Sequence, residues 1–175
     1  MFFALLAARF DAAAPFLTVP GGRRWSYGEI EAMSSRMADA LIAILDHAEP
    51  TVRAVAGEAL LDVAFERFKE VARAIERALD RDHAGLAMQE LPFVLTEIRD
   101  PDPIPLVVRF LAHPDPNVIA AAIEALAAYG DPGAAPHLEA LLEDEREATL
   151  EDVDDGPTRI GELAAAALEE LGIES

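Results

Sequence analysis

"LDHAEPTVRAVAGEAL" (45–60) and "LAHPDPNVIAAAIEAL" (111–126) repeat one another 66 residues apart. They agree at Leu45/Leu111, His47/His113, Pro50/Pro116, Val52/Val118, Ala56/Ala122, Glu58/Glu124, Ala59/Ala125 and Leu60/Leu126. Each copy opens on a Pro-bearing turn. Each then sets apolar residues at i, i+4, i+7 and i+8, a spacing that lines one side of a helix.

A shorter period lies inside the longer one. Ile104, Pro105, Val107, Phe110 and Leu111 fall on Ala135, Pro136, Leu138, Leu141 and Leu142, an offset of 31, and 66 is about two such periods. At the C-terminal end Ile160, Ala164, Ala167 and Leu168 repeat the stripe of Val118, Ala122, Ala125 and Leu126 after an insertion, "ATLEDVDDGP". The chain therefore reads as about four helical hairpins, each with a helix A, an Asp/Pro-rich turn and an Ala-rich helix B. Pro and Asp stop one helix and cap the next. A lone hairpin cannot bury its apolar stripe, but stacked hairpins share a continuous core. The expected fold is all-α, a right-handed α-solenoid over 46–175.

Residues 1–45 have a different style and read as a separate N-terminal cap segment of helix, short hairpin and helix. Residues 2–13 suit a short amphipathic helix. "FLTVPGGRRWSY" sets two β-prone runs about Pro20-Gly21-Gly22. Ser26 and Glu29 make a capping box. The helix that follows carries Ile30, Met33, Met37, Ala40, Leu41 and Ile44 on one face, which predicts that this face is buried. Further helices are expected at 51–79, with a break of unfixed position, from 84 onward with a kink or split at Pro92, and at 103–111, 116–129, 134–143 and 158–171. Asp82 is the expected cap of the helix that begins near 84.

The stretch "FLAHPDPNVIAAAIEALAAYGDPGAAPHLEALLED" resembles a HEAT repeat, of the bacterial type also found in phycobilin-lyase-like proteins. The resemblance is strong over 101–171, fair at 45–64 and weak at 65–100. It implies a non-enzymatic scaffold for protein–protein interaction, with the B helices lining the concave face. Exposed partner-binding positions there would be Arg53, Asn117, Ala121, Glu124 and Ala128. One departure is Ile119, where the family often has the Arg that Arg53 keeps. The alternative implied function is a lyase-like or chaperone-like HEAT protein handling a tetrapyrrole or other prosthetic group. Few aromatics after residue 45 weigh against it. "APFLTVPGGRRWSYGEIEAMSSRMADAL" (14–41) resembles the start of an adenylate-forming acyl-CoA synthetase. The phosphate loop, hinge Asp and late Lys of that family have no counterpart here, so the resemblance implies ancestry rather than activity.

The 175 residues carry a net charge of −19, and residues 1–45 balance four bases against four acids, so the whole excess falls in 46–175. Such a field disfavours nucleic acid and anionic lipid and favours a basic or extended protein segment as partner. There is no cysteine, hence no disulfide or thiolate chemistry. No apolar run approaches the roughly 18 residues of a membrane span, and the N-terminus lacks a basic signal-peptide region. Cytoplasm is the default location. Phe2, Phe3, Leu5, Leu6 and Phe10 would cap the solenoid or form a homodimer contact.

No catalytic set, cofactor motif or metal site emerges. His47, His83 and His113 sit near A–B turns, one per repeat. Stacked helices lie roughly 8–10 Å apart, so these histidines read as turn residues rather than ligands to one ion. The acidic run from Glu143 to Gly156 lacks the register and closing Glu of a calcium loop and reads as a solvated loop. Trp25 and Tyr27, beside Arg23 and Arg24, read as packing residues.

Overall fold

A computed structural model describes residues 15–18, 24–81, 85–149 and 156–173. The expected helix at 2–13, the turn at 19–23, Asp82, His83 and the middle of the acidic insertion lie outside them, as do the side chains of Trp25 and Tyr27. Strands β1 (Pro15–Thr18) and β2 (Arg24–Ser26) pair antiparallel, Leu17 opposite Trp25 and Thr18 opposite Arg24. The expected hairpin is therefore present. Ser26 then starts α1 (Tyr27–Leu45): its hydroxyl accepts the Glu29 N–H at 3.2 Å, and the Glu29 carboxylate accepts the Ser26 N–H at 2.9 Å. This reciprocal pair satisfies two of the four amide donors that a helix start leaves open.

The next helix, α2 (Pro50–Leu79), is broken at Arg67, whose φ of −137° and ψ of 44° are not helical. Residues 68–79 run parallel to α1, since Arg73 meets Glu31 and Arg77 meets Asp39. Residues 50–66 pack back along it: Leu41 and Ile44 share an opening with Val52, Val55 and Ala59, and a Cβ on Gly57 would lie 3.9 Å from the Leu45 side chain. The break thus turns the chain back on itself without a loop, and it makes 68–79 the first helix of the next hairpin. Its partner is α3 (Leu86–Thr96), which continues through Pro92. The expected split does not occur. Pro92 is buried, and packing against neighbouring helices outweighs the hydrogen bond that proline forfeits.

The third hairpin is α4 (Ile104–Val107), extended by a 3₁₀ turn at Val108–Ala112, followed by α5 (Pro116–Tyr129). The fourth is a 3₁₀ turn at Pro132–Ala134 running into α6 (Ala135–Glu139), then α7 (Ile160–Glu170). Helices α3, α5 and α7 pack side by side in that order. One apolar core runs from Ala38 to Leu168. This is an all-α solenoid, and each hairpin supplies part of a shared core as stacking requires.

The Asp-Pro turns work as the spacing predicts. Asp102, Asp115 and Asp131 each accept the backbone N–H two residues on, at 3.0, 2.9 and 2.7 Å. A carboxylate in this position replaces the missing helical acceptor and fixes the turn. Gly130 ends α5 at φ 76°, a left-handed conformation that costs a side-chain-bearing residue energy. Asp46, at the end of α1, reaches across 41 residues to accept the Ala87 N–H at 2.9 Å, and so caps α3 from another hairpin.

Three expectations require correction. In α1 the buried residues are Ala38, Ile42 and Leu45, whereas Met33, Met37 and Ile44 are exposed. The helix is apolar on two sides, and the inner hairpins cover the other one. The expected helix over 134–143 is shorter, because Ala140–Glu143 form turns. The start of the last helix moves from 158 to Ile160 because the insertion's two ends pair as strands β3 (Glu147–Ala148) and β4 (Thr158–Arg159). Among the described residues no helix is long and apolar enough to cross a membrane.

Candidate partner-binding surface

The repeat places two sets of charged side chains, and they meet different fates. Along the A helices, cations and acids of successive hairpins lock together. Arg73 pairs with Glu31, Arg77 with Asp39 at 2.9 Å, and Arg109 with both Glu76 at 3.3 Å and Asp80 at 2.8 Å. Each arginine reaches back one hairpin. These pairs are half-exposed, so each is worth at most about 1 kcal/mol. Their larger effect is on charge, because they use up bases and leave acids elsewhere without partners.

Along the B helices the acids face outward. Glu58, Glu97, Glu124 and Glu162 are exposed on successive hairpins. Exposed apolar side chains lie among them: Val55, Phe65 and Phe93. Periodicity alone did not point to these three, because each lies off its helix's dominant apolar stripe.

The five positions expected to bind a partner are not equivalent. Glu124 and Ala128 are exposed one turn apart on α5. Ala121 is buried, contrary to expectation. Asn117 is half-buried, and its side-chain oxygen accepts the Thr149 N–H at 2.8 Å. Arg53 is half-buried as well. It pairs with Glu90 at 3.2 Å and donates to the His47 and Ala48 carbonyls at 3.1 and 3.2 Å. Arg53 is therefore engaged in holding its own turn and the neighbouring hairpin.

The start of the insertion explains much of this. It is not a freely solvated loop, at least over residues 144–149. Asp144 and Arg146 form a bidentate pair, and Arg146 also donates to the His113 carbonyl at 3.3 Å. The Ile160 N–H bonds back to the Arg146 carbonyl, Gly161 bonds to that of Asp144, and Ala148 is fully buried. Strand β3 thereby packs on α5. The Arg146 hydrogen bond holds the Asp144 carboxyl below the ordinary carboxylate range and raises the Arg146 guanidinium in return. His113 carries a further compensation. Where Arg53 serves the His47 carbonyl in the first copy, Ile119 cannot serve His113, and Arg146, just before the insertion, does so instead.

His47 and His113 both act as turn residues. Their Nδ1 atoms accept the N–H of Glu49 and Asp115 at 3.0 and 3.1 Å. That bond puts the proton of neutral His113 on Nε2, which is buried and has no partner among the described residues. Among the described residues no group of His, Asp and Glu is placed to hold a metal ion. Acids of the insertion beyond Thr149 lie outside those residues.

Residues 70–153 match the family of HEAT repeats. The match runs from the second hairpin to strand β3 and into the insertion. No curated protein and no solved structure matches the chain.

Proposed function

Starting from the match of residues 70–153 to the family of HEAT repeats, we propose that the chain is a non-enzymatic scaffold that binds a basic protein segment on its acidic B-helix surface, in a cytoplasmic setting. HEAT repeats commonly mediate protein–protein interaction. The observation that carries the reading is the division of charge. Arg53, Arg73, Arg77, Arg109 and Arg146 are paired within the chain, whereas Glu58, Glu97, Glu124 and Glu162 are exposed. Arg36, Lys69 and Arg159 are exposed without an acid partner among the described residues, but exposed acids outnumber them, and a surface with that balance attracts cations and repels phosphate backbones. Glu124 and Ala128 keep their place in the proposed site. Arg53 and Asn117 are engaged within the chain and Ala121 is buried, so they are left out of it.

The test is capture from a native lysate at low and high salt, with the wild-type chain and with a Glu58→Lys/Glu97→Lys/Glu124→Lys variant. A protein retained at low salt by the wild type and lost in the variant supports the reading. A coloured or nucleotide ligand with no protein partner would sink it and favour the prosthetic-group alternative.

A further inference from the structure

The first hairpin has an apolar cleft on its outer flank. Leu41 and Ile44 of α1 face Val52, Val55 and Ala59 of α2 across an opening of about 300 Å³. Val55 is 62% exposed and Ile44 41%. The stripe continues along α1 through Met37, which is 51% exposed, and Met33. An exposed row of large apolar side chains marks a binding surface more often than chance.

The repeat shows what the cleft is built for. Adding 66 to its residues gives Val107, Phe110, Val118, Ala121 and Ala125 in the third hairpin, and all five are buried. In that hairpin α5 is covered by the preceding helix α3. In the first hairpin Arg53 meets Glu90 of α3, and a Cβ on Gly57 would lie 3.7 Å from Val94. These residues are on the opposite side of the helix from Val55. The cleft is therefore the flank against which a preceding repeat's helix would stack. Its geometry is that of a socket for a helix lying alongside, not for a small molecule.

The surrounding charge selects the occupant. Asp62 and Glu66 continue the Val55–Ala59 face by one and two turns. Both are exposed, and neither has an ion-pair partner among the described residues. On the A helices, by contrast, Glu31, Asp39, Glu76 and Asp80 are held by arginines. We propose that the cleft docks an amphipathic helix from a partner protein, with an apolar stripe over Ile44, Val52 and Val55 and Lys or Arg side chains opposite Asp62 and Glu66. This names the partner's chemistry and rests on the protein-binding reading above.

The test uses the full chain and a fluorescently labelled 16-residue helical peptide with Leu at i, i+3, i+4 and i+7 and Lys on both flanks. A second peptide carries Glu in place of Lys. Anisotropy should rise with the Lys peptide and not with the Glu peptide. Val55→Asp and Ile44→Asp should each weaken binding at least tenfold. Both variants add negative charge, so unchanged or tighter binding would mean bulk electrostatic attraction and would overturn the proposal. Tighter binding in a Phe3→Asp/Leu6→Asp variant would assign the cleft to the chain's own first residues. A dimer that dissociates on Val55→Asp, read by light scattering, would assign it to a second copy. Either result overturns a partner helix. Loss of lysate capture only in the charge-reversed variant, with no peptide binding at the cleft, would leave the scaffold reading standing without this site.

Discussion

The first and third hairpins share about half of the sixteen residues at 45–60 and 111–126 and occupy different environments. Leu60 and Leu126 are both fully buried, as are the corresponding pair Leu45 and Leu111 or nearly so. One turn away the copies diverge: Val55 is 62% exposed, while Ala121 is 9% exposed. The shared residues point between the two helices of their own hairpin. Val55 and Ala121 point toward a preceding helix, which among the described residues only the third hairpin has. Sequence identity between repeats thus reports the contacts within a repeat, and burial reports the position in the array.

The comparison can be broken most directly by placing a charge at the same position of both copies. Ala121→Asp should destabilise by about 3 kcal/mol or more, because a carboxylate there is buried without a partner. Val55→Asp should stay within about 0.5 kcal/mol, as exposed substitutions do. Chemical denaturation of the two variants measures this, and equal losses would show that the first hairpin is covered after all. A change of packing volume should come next in size. Ile123→Ala is expected to cost about 2–4 kcal/mol through the cavity it leaves. Its counterpart Gly57 has only Val94 and Leu45 nearby, at 3.7 and 3.9 Å, so Gly57→Ala should stabilise the chain through helix propensity by about 0.5–1 kcal/mol, read as a higher denaturation midpoint.

Smaller effects concern the turns. Asp115→Ala removes a side-chain cap and should cost about 1 kcal/mol. The equivalent Glu49 makes no such bond, and Glu49→Ala should leave the denaturation midpoint in place. The smallest effect depends on pH. Asp144 is held below its usual range by Arg146. Its contribution is therefore present above the ordinary carboxylate pKa and disappears as pH falls through the lowered one. Asp144→Asn should be less stable than the wild type near neutrality and match it in strong acid. A gap that persists in strong acid would show that the pair matters through packing rather than charge.

Much of this architecture was legible because it is local. The i, i+4, i+7, i+8 stripes, the capping box at Ser26 and Glu29, and the Asp-Pro turns are each decided by residues a few positions apart. The buried side of α1 was not legible, since that helix is apolar both at Ala38, Ile42 and Leu45 and at Met33, Met37 and Ile44. Only the placement of its neighbours selects between the two. The candidate surface suffered in the same way. Glu124 and Ala128, which the HEAT resemblance implied to be exposed, are exposed. Asn117 and Ala121 lie on that same face, but Thr149 of the insertion, 32 residues on, bonds Asn117. No spacing rule anticipates a strand returning from so far along the chain.

The bond from Asp46 to the Ala87 amide has a consequence for how the array comes apart. An amide at a helix start ordinarily exchanges with solvent as its own helix frays. This one is protected by a carboxylate at the far end of α1. Hydrogen exchange at Ala87 should therefore follow the detachment of α1, and Asp46→Ala should speed it while leaving amides in the middle of α3 slow. One proton in the second hairpin would then act as a gauge of whether the first is still in place.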